Sequence, residues 1–363
     1  MIRLDHVSKV FPGSDRPAVG DLSFEVPAGE IVVLVGPSGC GKTTTLKMIN
    51  RLIEPTSGEI WIDGARATTQ EPHLLRRKIG YVIQQIGLFP HRTIAQNIAT
   101  VPALLGWDKD KTEERVVELI QLVGLDKDVA DRYPNELSGG QQQRVGVARA
   151  LAADPPVMLM DEPFGAVDPI VRARLQEELK TLQERLRKTI VFVTHDIDEA
   201  IGLGDRVALL NEGGVLEQYA PPEEILRAPA NSFVVEFLGR ERGLRRLSLI
   251  TVDTIPLERG PVVEASSSPE LARAVMQEEG TDWVGVVDGG KLLGWVWGAE
   301  LARHETIGEI HPRPFSAQLT RSNTLREALD AIVTSKTQVA VVVDGGRYLG
   351  LLTSERLNEA LLS

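Results

Sequence analysis

An α/β fold with a largely parallel central sheet, followed by a smaller α/β unit, is what this sequence predicts, and three observations predict it. A glycine loop, Gly36-Pro37-Ser38-Gly39-Cys40-Gly41-Lys42-Thr43, lies between the apolar run Ile31–Val35 and the amphipathic Thr44–Ile49, which reads as strand, loop, helix. The apolar runs Ile79–Ile83, Val157–Met160 and Thr189–Val193 each end in polar residues and are separated by helical periodicity, as buried parallel strands should be. Finally, Asp-Gly-Gly recurs at 288–290 and 344–346, 56 residues apart, inside two copies of helix, strand, turn, strand, helix.

A chain of 363 residues exceeds one comfortable core and divides into two or three domains. Its 42% hydrophobic and 25% charged content is that of a soluble globular protein. Its apolar runs fall far short of the roughly 18 residues a membrane span needs. Met1–His6 carries neither an apolar signal core nor a cleavage site, so the chain is expected to stay in the cytoplasm. The single cysteine, Cys40, excludes an internal disulfide and reads as a small residue inside the loop. The net charge of −11 is shared as −7 over residues 1–240 and −4 over 241–363, which argues against nucleic acid as a partner. Only Arg240–Arg246 forms a basic cluster, read as a solvated linker.

In chain order, Ile2–Phe11 and Leu22–Val26 read as strands of an antiparallel start, with Phe11 on its own most consistent with core. The loop at 36–43 fits G-x-x-x-x-G-K-[ST], whose glycines let backbone N–H groups curl round phosphate oxygens at a helix N-terminus. Lys42 would reach the β- and γ-phosphates and Thr43 would ligate Mg²⁺. Gly58–Gly64 is a strand and turn, and Ile79–Ile83 is a strand that delivers Gln84 and Gln85 to the ligand edge of the sheet. From Thr93 to Val123 the pattern is helical and reads as an insert beside the sheet. Leu137-Ser138-Gly139-Gly140-Gln141 opens another helix and makes a second anion cradle. Val157–Met160 ends in Asp161 and Glu162; beside a phosphate loop, one carboxylate can hold Mg²⁺ through water and the next can polarise an attacking water. Pro169–Lys188 is an amphipathic scaffold helix with Leu175, Leu179, Leu182 and Leu186 inward. Thr189–Val193 ends in Thr194-His195-Asp196, which brings His195 to the γ-phosphate.

In this order the segments resemble the nucleotide-binding subunit of an ATP-binding cassette (ABC) transporter: Walker A at 36–43, the Q-loop at Gln84, the LSGGQ signature at 137–141, Walker B at 157–162, the D-loop Ala166-Val167-Asp168, and the switch histidine His195. The resemblance implies a P-loop NTPase cassette over residues 1–240, a mixed-sheet core with a helical subdomain at about 93–155. It implies ATP and Mg²⁺ as cofactors and a head-to-tail homodimer, each ATP lying between Walker A of one chain and Ser138 to Gln141 of the other. Catalytic roles then fall on Glu162 as base and on His195, Gln84 and Lys42. Phe11 becomes an adenine-stacking residue, Gly36 to Thr44, Gln84, Ser138 to Gln141, Asp168 and His195 contact nucleotide, and Thr43, Gln84 and Asp161 hold the metal. Val167 stands where the family often has leucine, and Ile83 where phenylalanine usually precedes the glutamine.

After a linker at 241–247, the copies 248–306 and 307–363 resemble a tandem α/β pair of cystathionine-β-synthase (CBS) modules. That family holds ribose and phosphate through Gly-x-x-Thr-x-x-Asp. Here the second copy, Gly350 to Arg356, keeps Thr353 but has Arg356 in place of Asp, and the first, Gly294 to Glu300, keeps only the acid. A ligand-free dimerisation module therefore stands beside a sensor of ionic strength or of a nucleotide, cyclic di-AMP or an adenine nucleotide. A cassette followed by CBS modules looks most like the ATPase subunit of a glycine betaine, choline, carnitine or proline importer. Such a subunit sits on the cytoplasmic face of the cell membrane and works with two transmembrane permease subunits and an extracytoplasmic solute-binding protein. Among other classes, non-transport ABC ATPases generally carry coiled-coil insertions, zinc cysteines or two cassettes. A pure ATP sensor has no need of Glu162.

Overall fold

The computed structural model describes residues 1–363 apart from 85–86, 166, 317 and 363. Gln85 and Ala166, singled out above, lie outside the described residues. The chain forms two compact units, Met1–Gly239 and Arg240–Ser363.

The first unit contains ten strands: β1 (Ile2–Lys9), β2 (Val19–Val26), β3 (Ile31–Val35), β4 (Ser57–Ile62), β5 (Ala65–Arg66), β6 (Ile79–Val82), β7 (Val157–Asp161), β8 (Thr189–Val193), β9 (Arg206–Asn211) and β10 (Val215–Ala220). A four-stranded antiparallel sheet has the order β2-β1-β4-β5, and a six-stranded sheet has the order β10-β9-β3-β8-β7-β6. In the larger sheet only β10 runs antiparallel to its neighbour. Every residue of β3, β7 and β8 is buried, as strands covered on both faces require. β2 instead alternates between buried and more exposed positions. Because β8 lies between β3 and β7, the carboxyl ends of three strands distant in sequence meet along one edge.

Beside this sheet lie the helices Ile94–Ile98, Thr100–Leu104, Lys109–Leu122 and Gly139–Leu151. Thr93 and Gln96 make a capping box at the first of them, and Asp108 caps the third through the Asp110 N–H at 2.9 Å. The helix Pro169–Leu186 buries Leu175 and Leu179, whereas Leu182 and Leu186 are only half-buried.

The second unit has one six-stranded sheet, from β11 (Val262–Glu264), β12 (Trp283–Asp288), β13 (Lys291–Trp297), β14 (Gln318–Leu319), β15 (Ala340–Asp344) and β16 (Arg347–Leu352), in the order β11-β12-β13-β16-β15-β14. The Asp-Gly-Gly triplets make its two hairpins. Both central residues of each turn have positive φ, 55° and 83° in one and 55° and 85° in the other, the type I′ geometry that glycine adopts without strain. The copies join where Lys291 on β13 pairs with Arg347 on β16.

Each copy also lends its leading segment to the other. Arg313 pairs with Trp295 through two 2.8 Å backbone hydrogen bonds, and Glu258 pairs likewise with Leu351 at 3.0 and 2.8 Å. The repeat glycines make this approach possible: a Cβ on Gly294 would lie 2.3 Å from the Arg313 carbonyl oxygen, and one on Gly350 2.7 Å from that of Glu258. The two residues at the ribose-acid position of the CBS pattern are both in ion pairs with these segments, with charges reversed between copies. Arg313 grips Glu300 bidentately at 2.6 and 2.8 Å, and Arg356 donates to Glu258 at 2.8 Å. Trp283, Trp295, Phe315, Val341 and Leu351 form an apolar core that draws on both copies, besides the separate core of each.

Two features differ from expectation. Arg242–Leu247, read as part of a solvated linker, is a helix whose Leu247 is buried with Val252 and Leu325, so one apolar residue in a basic run anchors it. The first copy closes with the 3₁₀ segment Gly298–Arg303, whereas the second ends in the α-helix Ser354–Leu362. Glu300 at its third position both caps the Trp297 N–H and holds Arg313.

Candidate nucleotide site

The loop at residues 36–41 leaves the end of β3 and enters the helix Lys42–Ile49 with Gly41 at φ 95°. A side chain on Gly41 would place Cβ 2.4 Å from the Ala18 carbonyl oxygen. One on Gly36 would meet the Leu210 carbonyl oxygen at 2.0 Å and Cys40 Sγ at 2.9 Å, so close packing is a sufficient reason for glycine there and a small residue at 40. Ser38 and Gly39 are exposed at the loop tip, with Pro37 and Thr44 half-buried. Cys40 is fully buried, and burial pushes its thiol up, so it is inert packing.

Lys42 is buried and folds back over its own loop, donating to the Gly36 and Pro37 carbonyls at 2.8 and 2.9 Å. Thr43 Oγ1 donates to Asp161 Oδ1 at 2.9 Å, joining the helix start to the end of β7 across 118 residues of sequence. Asp161 is buried; that burial pushes its carboxyl up, while the Thr43 hydroxyl pulls it back.

Glu162 follows with φ 44°, a left-handed conformation that costs a non-glycine residue about 1–3 kcal/mol and is concentrated at functional sites. Its N–H is held by the Val193 carbonyl at 2.9 Å. Its carboxylate meets two of the other singled-out residues: Gln84 Nε2 donates to Oε2 at 3.0 Å, and His195 Nδ1 lies 3.2 Å from Oε1. Lys42, Thr43, Asp161, Glu162, Gln84 and His195 therefore form one cluster at the carboxyl edge of β3, β8, β7 and β6.

The remaining residues lie elsewhere. Phe11 is not core: it is 39% exposed after β1, with Lys9 Nζ 5.3 Å from its ring centroid. Ser138 caps Gly139–Leu151 in a capping box with Gln141, leaving Ser138 and Gly139 exposed. Among the described residues no hydrogen bond joins 138–141 to the glycine loop. Asp168 caps Pro169–Leu186 through the Ile170 and Val171 N–H groups at 3.2 and 3.1 Å.

Sequence reasoning missed Arg172 and Glu199, which are bonded to residues of this edge. Glu199 is buried, accepting from Thr194 Oγ1 at 2.6 Å and from Gln176 Nε2 at 3.1 Å. Asp196-Ile197-Asp198-Glu199 spells a capping box, so the sequence points Glu199 back at the Asp196 N–H. In the structure that N–H donates to Thr194 Oγ1 at 3.0 Å, and Glu199 turns inward instead.

The oxygen donors of Thr43, Asp161 and Gln84 suit a hard cation such as Mg²⁺, which takes few protein ligands and completes its shell with water and phosphate.

An ABC transporter family model matches residues 19–165 and a CBS domain model matches residues 307–363. The glycine betaine/carnitine/choline transport ATP-binding protein OpuCA of Bacillus subtilis is 48% identical over 98% of this chain and 95% of its own length. The osmoprotectant import ATP-binding protein OsmV of Salmonella typhimurium is 46% identical over 100% and 97%. Among solved structures, the dimeric cassette MJ0796 superposes with a TM-score of 0.55 at 37% identity, covering 61% of this chain and 99% of that one. A second structure of the same cassette, in a post-hydrolysis state, is bound to ADP and Pi. With relatives this similar over their whole length, and a phosphate loop, paired carboxylates and a signature helix all present, the chain belongs to the ABC transporter family as one of its ATP-hydrolysing, ATP-binding subunits.

Proposed function

We propose that this chain hydrolyses ATP to drive uptake of an osmoprotectant such as glycine betaine, choline, carnitine or proline. The observation that carries the reading is the carboxylate of Glu162, set at a strand end between Gln84 and His195 and one residue from the Asp161–Thr43 pair. Two transmembrane permease subunits and an extracytoplasmic solute-binding protein complete the importer. No helix among the described residues is long and apolar enough to cross a membrane, and the chain works peripherally, at the cytoplasmic face of the inner membrane. The names of the relatives support the solute class.

In the proposed mechanism, Lys42 exchanges the carbonyls of Gly36 and Pro37 for β- and γ-phosphate oxygens, and the loop N–H groups cradle the same phosphates. Phe11 stacks on the adenine. Thr43, Asp161 and Gln84 hold Mg²⁺, which when bound supplies charge neutralisation on the phosphates. Glu162 orients and deprotonates the attacking water, and His195 holds the γ-phosphate. Ser138 to Gln141 and Asp168 of a second copy close the site, a head-to-tail homodimer supported by the dimeric neighbour. The division into a cassette at 1–240, with its helical insert near 93–155, and CBS modules at 248–306 and 307–363 belongs to the same proposal.

Reconstituted in proteoliposomes with its permease and binding-protein partners, the ATPase is expected to accumulate at least one of the four solutes in an ATP-dependent way. No uptake and no stimulated turnover with any of them would overturn the solute assignment.

The C-terminal pair is proposed as the regulatory arm. The Arg356–Glu258 ion pair disfavours a mononucleotide held through its ribose in the second copy, which leaves cyclic di-AMP ahead of AMP. A ligand at 100 times its Kd stabilises the fold it binds by about 2.7 kcal/mol. Cyclic di-AMP is therefore expected to raise the unfolding temperature of the second unit within the full chain. No shift with cyclic di-AMP or AMP, together with an unchanged salt response when residues 241–363 are removed, would reduce the pair to a structural role.

A further inference from the structure

Around His195 the structure contains a buried polar network that the catalytic cluster does not use. Glu199, on the helix Ile197–Leu203, sends its carboxylate inward, and both oxygens are engaged. Oε2 takes the Thr194 hydroxyl at 2.6 Å, and that hydroxyl in turn accepts the Asp196 N–H at 3.0 Å. Glu199 thus holds the residue before His195 directly and the residue after it through the Thr194 hydroxyl. Oε1 takes the Gln176 amide at 3.1 Å and faces Arg172 Nε, 3.8 Å away; that nitrogen is buried and makes no hydrogen bond.

Arg172 carries the connection onward. Its Nη1 lies 3.7 Å from Asp196, and its Nη2 donates to the Val167 carbonyl at 3.2 Å, one residue before the Asp168 cap. Burial pushes the Glu199 carboxyl up, while Thr194 and Arg172 pull it back. A carboxylate kept in such a place costs desolvation, which its partners offset only if all of them are in position.

We propose that Glu199 is a positioning residue for His195, with Arg172, which also faces Asp196 and donates to the Val167 carbonyl, completing its buried set of partners. The proposal rests on the reading of His195 as a γ-phosphate contact. Thr194 and Asp196 fix the backbone that aims the imidazole at Glu162 Oε1, 3.2 Å away. Releasing the Thr194 hydroxyl frees that backbone, and a misplacement of about 1 Å can cost roughly a hundredfold in rate.

The test is a double-mutant cycle on the full chain, read by ATP turnover and, for the slow variants, by single-turnover phosphate release. Glu199→Ala is expected to lower kcat roughly ten- to hundredfold with KM for ATP within about twofold, since it leaves the phosphate loop intact. In the His195→Ala background the same change is expected to add nothing, because its effect is transmitted through His195. A packing defect would instead multiply the two losses. Glu199→Gln keeps the volume and can still accept from Thr194 but offers Arg172 no charge; it is expected to lose kcat several-fold, and it carries the cycle if the alanine variant fails to fold. Wild-type kcat for Glu199→Gln, or losses that multiply in the His195→Ala background, would overturn the proposal. Wild-type turnover for His195→Ala alone would remove the reading of His195, a separate outcome.

Discussion

Glu162→Gln is expected to bind ATP as tightly as the parent chain while kcat falls roughly 10²- to 10⁴-fold, the usual contribution of a positioned general base. The substitution is nearly isosteric, and its backbone, at φ 44° with the N–H on the Val193 carbonyl, has no reason to move. An amide oxygen can still accept one of the two contacts the carboxylate makes, from Gln84 or from His195. The amide nitrogen cannot take a proton from water. ATP affinity measured by fluorescence or calorimetry, beside steady-state phosphate release, separates the two effects. Turnover within a few-fold of the parent would remove Glu162 from the role of base and throw the reading back on His195.

Ser138→Arg is expected to abolish hydrolysis while each chain still binds ATP. Within one chain the Ser138 hydroxyl caps its helix, accepting from the Gln141 N–H at 3.4 Å, and losing such a cap costs only about 0.5–2 kcal/mol. The fold should therefore survive. The exposed helix start would instead present a bulky cation where the γ-phosphate of a second chain's nucleotide is to dock, against the positive end of the helix dipole. Ser138→Ala isolates the loss of the cap and is expected to be much milder. Unchanged turnover in Ser138→Arg would refute a site shared between two copies.

The glycine loop, the two carboxylates and the helix start at Ser138 could be read from the chain because each is local. A turn that needs positive φ, a strand end and a helix start are set by residues a few positions apart, and their chemistry follows from backbone geometry that any fold must provide. The Asp-Gly-Gly hairpins are legible for the same reason. Phe11 was not, because an aromatic at a strand end is compatible with both core and surface. Arg242–Leu247 misled because four charged or small residues outweigh two leucines in composition, though burial of Leu247 outweighs them in packing.

By itself, then, the sequence determined the two α/β units, the phosphate loop and the list of groups able to do chemistry, since period, glycine placement and motif spacing are properties of short segments. Tertiary structure decided which of those groups meet. Strand order put β8 between β3 and β7, so Glu162 receives Gln84 from 78 residues upstream and His195 from the neighbouring strand. The exchange of leading segments between the C-terminal copies, with charges reversed at Glu300 and Arg356, was settled in the same way. So was Glu199, whose local pattern spells a helix cap. Its burial against Thr194 and Arg172 outweighs that preference, because a buried carboxylate must find its partners wherever the chain brings them.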